Sequence, residues 1–595
     1  MATPVAGFPP SDTHQEDYSV RTTKSSKFAA VAVGLSLIVA ACGDDKESTS
    51  TTGAPETTEG TTETTAGGTD TTMGGDTTMA MSDAAMRVTY TLSDVAVWND
   101  GSPITAADFE CTWEANLNTP GSIGTTGYDK VISVTEGASA SEVVVDFSEK
   151  YAPWRLLFGG LLKSSEYDDC NDVSEAFDGG IDYSATEWMI DSWSAEQLVL
   201  VPNEGYMGSR TPGVGRVVFV PAEDGPTALK SGAVDFIFPQ AYTGLSDELA
   251  DPNVTFEAAP SGAFEAFYFQ SYEGPFADPV YRQAFAKSID RNAVYDQIYA
   301  PFANGVPLLD CGPIAPGPYC DDAFADTYDP DGAKALLEGA GWTMGADGFW
   351  VNPDGEVPDI RWMVNTGNTR RESTQEFLIP KLAEAGFKVH ADNCEALPCV
   401  FETRLPSLDY DMAMYISTVA PDPAYLTPAF ACDQIPTEEN DFQGQNSTGY
   451  CNEEATTLLH SADVELDPDA RAAEVVQAID LMAADLPLLP LLQFPNVGAY
   501  RTDRTDATSV AEIANYRAIN NWYEWADVDG DGQLIVGAEQ FPTSDCPNPV
   551  TECANSSWYV WLVAFPVLPG MYDTTADQTI VPSEYLTGEA VVEEL

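Results

Sequence analysis

The apolar residues between Phe264 and Pro307 follow two successive periods. The opening run, FEAFYFQ, is rich in aromatic residues, as buried strands are. Asp278 and Pro279 then supply an N-cap and a first helical residue, and apolar positions return at helical spacing. Asp290 is placed to cap a second, shorter helix. The pattern predicts a strand followed by two helices.

The same periodicities recur along the rest of the chain. They predict strands over Arg87–Thr91, Val95–Trp98, Ile360–Asn365, Phe387–Ala391 and Asp409–Ser417. They predict helices after the cap residue Thr105 and over Asp329–Gly341 and Arg371–Ala385. Pro380 falls inside the last of these and should kink or split it. The segment Ile360–Ala391 therefore predicts a βαβ unit.

Length and charge exclude some classes of protein. A chain of 595 residues is too long for one hydrophobic core, so two or more domains are expected. With 94 acidic against 26 basic residues, the formal net charge is −68, which excludes nucleic acid as a partner because neutralising its phosphates needs a basic surface. The excess favours a strongly hydrated surface suited to salty surroundings; the alternative is an acidic site for cationic ligands.

The N-terminal residues predict export. Arg21, Lys24 and Lys27 precede an apolar run, 28–41, that is too short to span a bilayer, so residues 1–41 are predicted to be a signal peptide. The run ends Val-Ala-Ala-Cys and resembles a bacterial lipobox, which implies that Cys42 is lipidated; the alternative is an ordinary secretory signal. Residues 42–84 are Thr- and Gly-rich and predict a disordered tether with a reach of roughly 35 Å.

The ten remaining cysteines form an even set in an exported protein, so disulfides are expected. Zinc is the weaker alternative, because the chain has no paired CxxC and only three histidines. Short separations in sequence suggest four pairs and leave a fifth. The pairs are Cys311–Cys320, Cys394–Cys399, Cys432–Cys451, Cys546–Cys553 and, by remainder, Cys111–Cys170.

Four segments carry a resemblance to a known family. They are PFADPVYRQAFAKSIDRNAVYDQIY, WNDGSPITAADF from Trp98, WSAEQLVLVPNEGYMG from Trp193 and ALKSGAVDF from Ala228. In this order they resemble the extracytoplasmic solute-binding proteins of family 5, the peptide- and nickel-type receptors of ABC importers. The resemblance implies an α/β, two-lobed periplasmic-binding-protein fold (type II, venus-flytrap), with mixed sheets flanked by helices and a hinge.

The resemblance also implies a division of the chain. Residues 85–265 are expected to form lobe I, 266–492 lobe II, and 493–595 a return to lobe I. The hinge is expected near Phe264–Ser271 and Leu488–Pro495.

The C-terminal extension suggests a rearranged chain order. In the family, first-lobe strand and loop residues precede the Trp-Asn-Asp-Gly segment, where this chain has its tether. Residues 533–595 resemble that missing piece, which suggests a circular permutation in which they pair with Arg87–Trp98. The alternatives are a separate C-terminal module and a domain swap with a second chain.

Candidate ligand-binding residues come from the resemblance and from residue chemistry. The segment APDPAYLTPAF resembles the part of peptide-binding relatives whose aspartate pairs with a ligand's α-amine, which implies that role for Asp422; the alternative is an Asp capping the next turn. Arg370 or its neighbour Arg371, close to Asn365, is a candidate for a ligand carboxylate, and a helix-start role is the alternative. The candidate cleft aromatics, each of which could equally be a core residue, are Trp98, Trp362 and Tyr415.

Catalytic motifs are scarce in this sequence. His390 and His460 are isolated, and the chain has no GxSxG or HExxH motif. Residues 527–532 open like a calcium loop but place Ala538 where a bidentate acid is required, so a linker turn is favoured over calcium binding.

The sequence therefore predicts a non-enzymatic importer receptor with no cofactor or metal. It is expected to be a monomer, lipid-anchored on the outer face of the cytoplasmic membrane, that passes a peptide or peptide-like solute to an ABC permease. The alternatives are a secreted hydrolase and a surface-binding protein with no role in transport.

Overall fold

A computed structural model describes residues 84–177, 180–239, 241–242, 244–418, 421–437, 440, 444–507, 522–539, 541, 548–551, 566–575 and 579–595. The strands in these residues are β1 (Met86–Thr91), β2 (Val131–Glu136), β3 (Glu142–Phe147), β4 (Trp188–Trp193), β5 (Leu198–Pro202), β6 (Arg216–Pro221), β7 (Phe236–Ile237), β8 (Val254–Phe269), β9 (Thr343–Met344), β10 (Trp350–Val351), β11 (Asp359–Met363), β12 (Lys388–Ala391), β13 (Met412–Thr418), β14 (Leu488–Arg501), β15 (Thr505–Asp506), β16 (Ala526–Asp527), β17 (Gln533–Ala538), β18 (Tyr572–Thr574), β19 (Ile580–Pro582) and β20 (Val591–Glu594).

The α-helices are α1 (Ala106–Asn118), α2 (Gly225–Ser231), α3 (Leu245–Glu248), α4 (Pro279–Lys287), α5 (Arg291–Val294), α6 (Pro330–Gly339), α7 (Thr369–Glu384), α8 (Leu426–Phe430), α9 (Glu453–Ala462) and α10 (Pro468–Asp485). Single 3₁₀ turns occupy Tyr128–Lys130, Ala152–Leu156, Ser164–Glu166, Pro275–Ala277, Pro423–Tyr425, Cys432–Gln434 and Trp522–Glu524, and π-helical turns occupy Tyr295–Tyr299 and Ala396–Arg404. None of the helices in these described ranges is long and apolar enough to cross a bilayer.

One mixed sheet of ten strands runs through the molecule in the order β12-β11-β13-β8-β14-β7-β17-β6-β5-β4. We call the part containing β4–β7 and β17 lobe I, together with the four-stranded sheet β2-β3-β1-β20. The part containing β9–β13 and α4–α10 is lobe II. Strands β8 and β14 lie between the two sets and belong to both. This is an α/β fold with mixed sheets flanked by helices.

The predicted strand–helix–helix unit is confirmed at the start of lobe II. The Asp278 carboxylate accepts a hydrogen bond of 2.9 Å from the Val280 N–H and caps α4. Asp290 accepts one of 3.0 Å from the Ala293 N–H and caps α5. Phe285 on α4 is fully buried in the hydrophobic cluster beneath the sheet. The cap residues end the preceding turn, and the apolar face then fixes which side of each helix is buried.

The predicted βαβ unit is also present. Strand β11 pairs in parallel with β12 and with β13, and α7 connects β11 to β12. Pro380 does not split the helix, because α7 is one helix from Thr369 to Glu384; the predicted kink stays a prediction. The buried residues Leu378 and Leu382 flank the proline on the core side of the helix. Their packing outweighs the one backbone hydrogen bond that a proline cannot donate.

The predicted strand over Val95–Trp98 is a second correction. These residues form a tight loop, in which the Trp98 N–H donates to the Ser102 carbonyl and the Gly101 N–H donates to the Trp98 carbonyl, each at 2.8 Å. Gly101 has a φ of +82°, which favours glycine. The turn chemistry of Asn-Asp-Gly therefore prevailed over the apolar alternation before it.

The C-terminal residues pair inside lobe I. Strand β17 lies parallel to β6, with Leu534 opposite Val217 and Val536 opposite Phe219. Strand β20 lies antiparallel to β1, and the Leu595 N–H donates to the Ala85 carbonyl at 3.1 Å. The last residue of the chain is thus a neighbour of the first described strand.

Four of the five predicted disulfides are formed: Cys111–Cys170, Cys311–Cys320, Cys394–Cys399 and Cys432–Cys451. The fifth predicted pair, Cys546–Cys553, and the predicted lipidation site Cys42 lie outside the described residues.

Removing Cys111–Cys170 is expected to destabilise the protein more than removing Cys394–Cys399. The first bond spans 59 residues and the second spans 5. Because a cross-link restricts the unfolded chain more when the loop is longer, the difference is about 2 kcal/mol in the chain-entropy model. Urea unfolding of the two Cys→Ala double variants checks this ranking, and an equal loss in both would contradict it.

Candidate functional site

Strands β8 and β14 carry the chain from one lobe to the other. They pair antiparallel from Leu488–Tyr268 in lobe II to Arg501–Val254 in lobe I. The ladder is interrupted twice, between Pro490 and Leu492 and between Gln493 and Pro495. Interruptions of this kind bend a strand and loosen its pairing locally. The residues predicted to form the hinge lie in this part of the sheet, and the hinge itself stays a prediction.

A buried acid lies beside the interruption. Glu265 on β8 is completely inaccessible to solvent. Its Oε1 accepts a hydrogen bond of 2.5 Å from the Arg371 Nε. Its Oε2 accepts one of 2.9 Å from the Arg370 Nε and one of 2.7 Å from the Tyr299 hydroxyl. Burial alone would raise the pKa of Glu265, but the two guanidinium groups outweigh it and lower the pKa to about 2.

Arg370 does not have the arrangement expected of a free ligand-binding arginine. Only 5 % of it is exposed, and its guanidinium also donates to the Ala241 carbonyl at 3.1 Å and lies 4.7 Å from the Phe494 ring centroid. Arg371 donates to the Asn365 side-chain oxygen at 2.5 Å as well as to Glu265. The structure therefore assigns these arginines to an internal ion-pair cluster, because a buried carboxylate must be neutralised from within.

Asp422 is likewise engaged inside the protein. Its two carboxylate oxygens accept from both terminal nitrogens of Arg471, each at 2.7 Å, and both residues are about 5 % exposed. Oδ1 also accepts a hydrogen bond of 3.0 Å from the Ala424 N–H, so Asp422 caps the 3₁₀ turn that begins at Pro423. The expectation of a carboxylate waiting for a ligand's amine does not match this geometry, because Arg471 already supplies the cation.

The Asp422–Arg471 pair lies where the two lobes touch. The Ala152 N–H of lobe I donates to the Asp463 carbonyl of lobe II at 3.0 Å. The charges of Asp422, Asp463 and Arg471 all act on the neighbouring Tyr151 of lobe I. Burial raises the pKa of Asp463 to about 6, against the opposing effects of Thr427 and Arg471.

We expect this raised pKa to make stability fall as pH rises through Asp463's titration. The folded state holds the proton more tightly than the unfolded chain, so the contribution of Asp463 is favourable near pH 4 and is lost by about pH 6 to 7. Asp463→Asn should match the parent at pH 4 and exceed its stability at pH 7 by on the order of 1 kcal/mol. Urea unfolding at both pH values measures the difference in stability between Asp463→Asn and the parent, and the exposed Asp469→Asn is the control. The same difference at pH 4 and at pH 7 would contradict the prediction.

The three aromatic residues that are candidates for lining the cleft differ in how far they are buried. Trp98 and Trp362 are 1 % and 0 % exposed and lie in the hydrophobic clusters of lobe I and lobe II. Of the two alternatives, the core position is the one observed, so neither indole faces a cleft. Tyr415 is partly exposed and stacks on Tyr268, with 3.8 Å between ring centroids and 9° between planes.

Asn365 and Tyr415 lie at one edge of the sheet. Asn365 follows the end of β11, Tyr415 is the middle residue of β13, and these two strands are parallel. Asn365 is partly exposed, and the Tyr415 hydroxyl lies 3.1 Å from the Ser447 hydroxyl. Open α/β sheets bind ligands beyond the carboxyl ends of their strands, so this edge is the candidate ligand wall of lobe II.

The other chemical candidates lie on the surface. His390 and His460 are exposed. The His390 ring lies 2.8 Å from the Asp359 carboxylate, and the His460 ring lies 3.1 Å from the Asp433 carboxylate. The carboxylates of Asp527, Asp529 and Asp531 converge to within 4.8 Å of one another. Asp527 also accepts from the Gly530 and Gly532 N–H groups, which is what the predicted linker turn requires.

Two residues of the buried ion pairs, Glu265 and Arg471, were not identified from the sequence. Glu265 is the one charged residue in the apolar run FEAFYFQ, and a charge in a buried strand requires a buried partner. The adjacent pair Arg370–Arg371 was available to supply it. Arg471 carried no comparable signal, because it is one of several charged residues on the polar-rich start of α10.

Comparisons with known proteins agree on one family and fold. Residues 77–437 match the family model of bacterial extracellular solute-binding proteins, family 5 (middle). The oligopeptide-binding protein OppA of Mycobacterium tuberculosis is 26 % identical over 452 residues, which cover 73 % of each chain. Among solved structures, the substrate-binding protein CtaP of Listeria monocytogenes aligns with a TM-score of 0.61 at 16 % identity, covering 76 % of this chain and 90 % of that one. The periplasmic EDTA-binding protein EppA aligns with a TM-score of 0.60 at 22 % identity, and the alignment covers 74 % of this chain and 84 % of EppA.

Proposed function

The chain belongs to the bacterial extracellular solute-binding proteins of family 5, and on that premise we propose that it is the membrane-tethered substrate-binding protein of an ABC importer. It captures a peptide or peptide-like solute between its lobes and delivers it to a permease. The relatives compared with it are binding proteins and not enzymes, and we propose no catalytic activity for this chain.

The observation that carries the proposal is the pair of strands shared by the lobes. A continuous connection through β8 and β14, interrupted at its centre, allows the lobes to change their angle without unfolding either one. A solute that touches both lobes stabilises the closed arrangement by its differential affinity for it. The edge with Asn365 and Tyr415 is the proposed wall in lobe II, and Ala152 of lobe I contacts Asp463 of lobe II where the lobes meet.

The buried pairs at this boundary have a supporting part in the proposal. Asp422 with Arg471, and Arg370 with Glu265, hold the segments that bear the wall and the hinge. Direct contact of Asp422 or Arg370 with a solute would require each to leave its present partner, and the cost of uncovering a buried charge opposes that exchange.

The anchoring part of the proposal rests on sequence. Residues 1–41 act as the signal peptide, Cys42 carries the lipid, and residues 42–84 form the tether that holds a monomeric receptor at the outer face of the cytoplasmic membrane. A tether between the lipid and the lobes would allow the receptor to reach a permease in the same membrane.

Mass spectrometry of solute released from the purified full-length protein tests the function. We expect peptides or peptide-like molecules, and each identified molecule should raise the melting temperature in a titration, since binding to the folded state alone stabilises it. A panel of peptides, sugars and metal chelates extends the titration. A protein that carries nothing and responds to no member of that panel would contradict the proposal.

We also propose that the chain is a circular permutant within its family. The parallel pairing of β17 with β6, and the contact between Leu595 and Ala85, support this. The position of β17 between β7 and β6 in the large sheet supports the permutation over a separate C-terminal module.

A rearranged chain tests the permutation. We expect a protein that begins at Gln533, joins Leu595 to Ala85 through an Asn-Gly turn and ends at Gly532 to fold with a melting temperature within a few degrees of the parent, because adjacent ends can be joined at little cost. Deleting 533–595 should instead abolish folding, since it removes a central strand. Circular dichroism and calorimetry distinguish the two. A stable deletion variant would contradict the permutation.

A further inference from the structure

Two adjacent arginines contact the same buried acid but reach different parts of the molecule. Arg371 binds Glu265 on the shared strand and Asn365 in lobe II. Arg370 binds Glu265 and also the Ala241 carbonyl, which follows β7 in lobe I. Arg370 starts from α7 of lobe II, so its guanidinium connects the two lobes and the strand between them.

The connection lies at the point where the ladder is broken. Phe494, whose ring centroid is 4.7 Å from the Arg370 guanidinium carbon, is the residue between Gln493 and Pro495, where the β8–β14 register shifts. A shift in register is where a change of angle between two halves of a sheet is most readily absorbed by the backbone. The Gln493 side chain donates to the Ser261 carbonyl at 3.0 Å across the same break.

We infer that Arg370 is a positioning residue that sets the angle between the lobes of the ligand-free protein, acting through Glu265, the Ala241 carbonyl and the Phe494 ring. This rests on the proposed function, in which a solute is bound by lobes that close about β8 and β14. It replaces the role of ligand carboxylate receptor that the sequence suggested for this arginine.

The geometry explains why an arginine is required. A planar guanidinium presents several N–H donors in fixed directions and can stack on an aromatic ring at the same time. Lysine carries the same charge but has one nitrogen, so it can neutralise Glu265 without also holding the Ala241 carbonyl and the Phe494 face. Since the cluster is buried, a hinge angle that separates these groups leaves a charge or a carbonyl unpaired and is disfavoured.

The matched variants Arg370→Lys and Arg371→Lys separate positioning from charge. Each keeps two cations beside Glu265, but only Arg370→Lys loses the contact with lobe I. The readout is the distance between labels on Glu110 of α1 and Ala335 of α6, both exposed, measured by single-molecule fluorescence in ligand-free full-length protein. Noncanonical amino acids carry the labels, so that the disulfides stay intact.

We expect Arg370→Lys to displace or widen the distance distribution by about 2 Å or more, and Arg371→Lys to leave it unchanged. Any solute identified from the purified protein should then bind Arg370→Lys about tenfold more weakly, because only molecules with correctly oriented lobes are competent. Tetra-alanine serves as the probe if none is identified. Identical distributions in parent and both variants would overturn the inference, as would equal changes in both.

Phe494→Leu gives an independent measurement should Arg370→Lys fail to fold. It removes only the stacked ring and leaves every charge in place, and we expect a smaller widening of the same distribution. An unchanged distribution in Phe494→Leu, with Arg370→Lys unfolded, would also overturn the inference. The distance readout needs no ligand, so a protein that binds no solute contradicts the proposed function while the hinge result stands by itself.

Discussion

Replacing Glu265 by glutamine is expected to lower the free energy of unfolding by about 3–5 kcal/mol, the typical cost of removing one partner from a buried ion pair. Glu265 is fully buried and faces both Arg370 and Arg371. Glutamine keeps the size and one acceptor oxygen, so the packing is retained while two buried guanidinium groups lose their counter-ion.

The acid dependence of stability gives a second signature of the same residue. Two guanidinium groups hold the pKa of Glu265 at about 2 in the folded protein despite its burial, below the ordinary value for a glutamate. Its stabilising contribution is therefore complete only above about pH 5, where the unfolded-state carboxyl is also ionised, and is lost as pH falls towards 2. Glu265→Gln should lack this component.

Urea unfolding of the parent and of Glu265→Gln between pH 3 and 7 measures both the loss of unfolding free energy and its dependence on pH. The control is Glu257→Gln, an exposed carboxylate on the same strand, which should change stability by less than about 0.5 kcal/mol. A Glu265→Gln protein as stable as the control at pH 7 would refute the assignment of a paired, buried charge.

Asp422→Asn is expected to cost about 3–5 kcal/mol for the same physical reason. Both carboxylate oxygens of Asp422 are bound by Arg471, and asparagine leaves the guanidinium unneutralised and turns one N–H₂ group towards it. The exposed pair Asp433–His460 supplies the control, since Asp433→Asn breaks an ion pair in solvent, where such pairs contribute roughly 0–1 kcal/mol.

A double substitution separates the structural role of Asp422 from the ligand role that the sequence suggested. Asp422→Leu combined with Arg471→Met removes both charges together, and apolar replacement of a whole buried pair is often neutral or stabilising. We expect the double variant to regain much of the stability lost in Asp422→Asn and to bind the identified solute as the parent does. Regained stability with lost binding would show instead that the carboxylate contacts the solute.

Local features of the chain were predicted well because they depend on neighbours in sequence. The caps at Asp278 and Asp290 and the helical face of α4 follow from spacing within one or two turns. The disulfide pairs with short separations are also local, since close cysteines meet readily once the segment between them folds. The two local differences, at Val95–Trp98 and in the unsplit helix at Pro380, arose where turn chemistry or core packing prevailed over the local pattern.

The candidate site was predicted less well because burial is a property of the assembled sheet. Asp422, Arg370, Trp98 and Trp362 were chosen for residue types that suit a ligand, yet each type is equally suited to an internal pair or a core. Only the pairing of distant segments shows that Arg471 lies 2.7 Å from Asp422 and that Glu265 lies between two arginines.

The amino-acid sequence by itself determined many of the strands and helices, through their periodicity, and the family, through contiguous motifs whose resemblance implied the two-lobed α/β fold. The tertiary structure decided which charges are satisfied internally, those of Glu265 by Arg370 and Arg371 among them. The reason is physical: the energy of a charged group depends on the groups that surround it in space, and those groups come from segments more than a hundred residues apart, as Glu265 and Arg370 do.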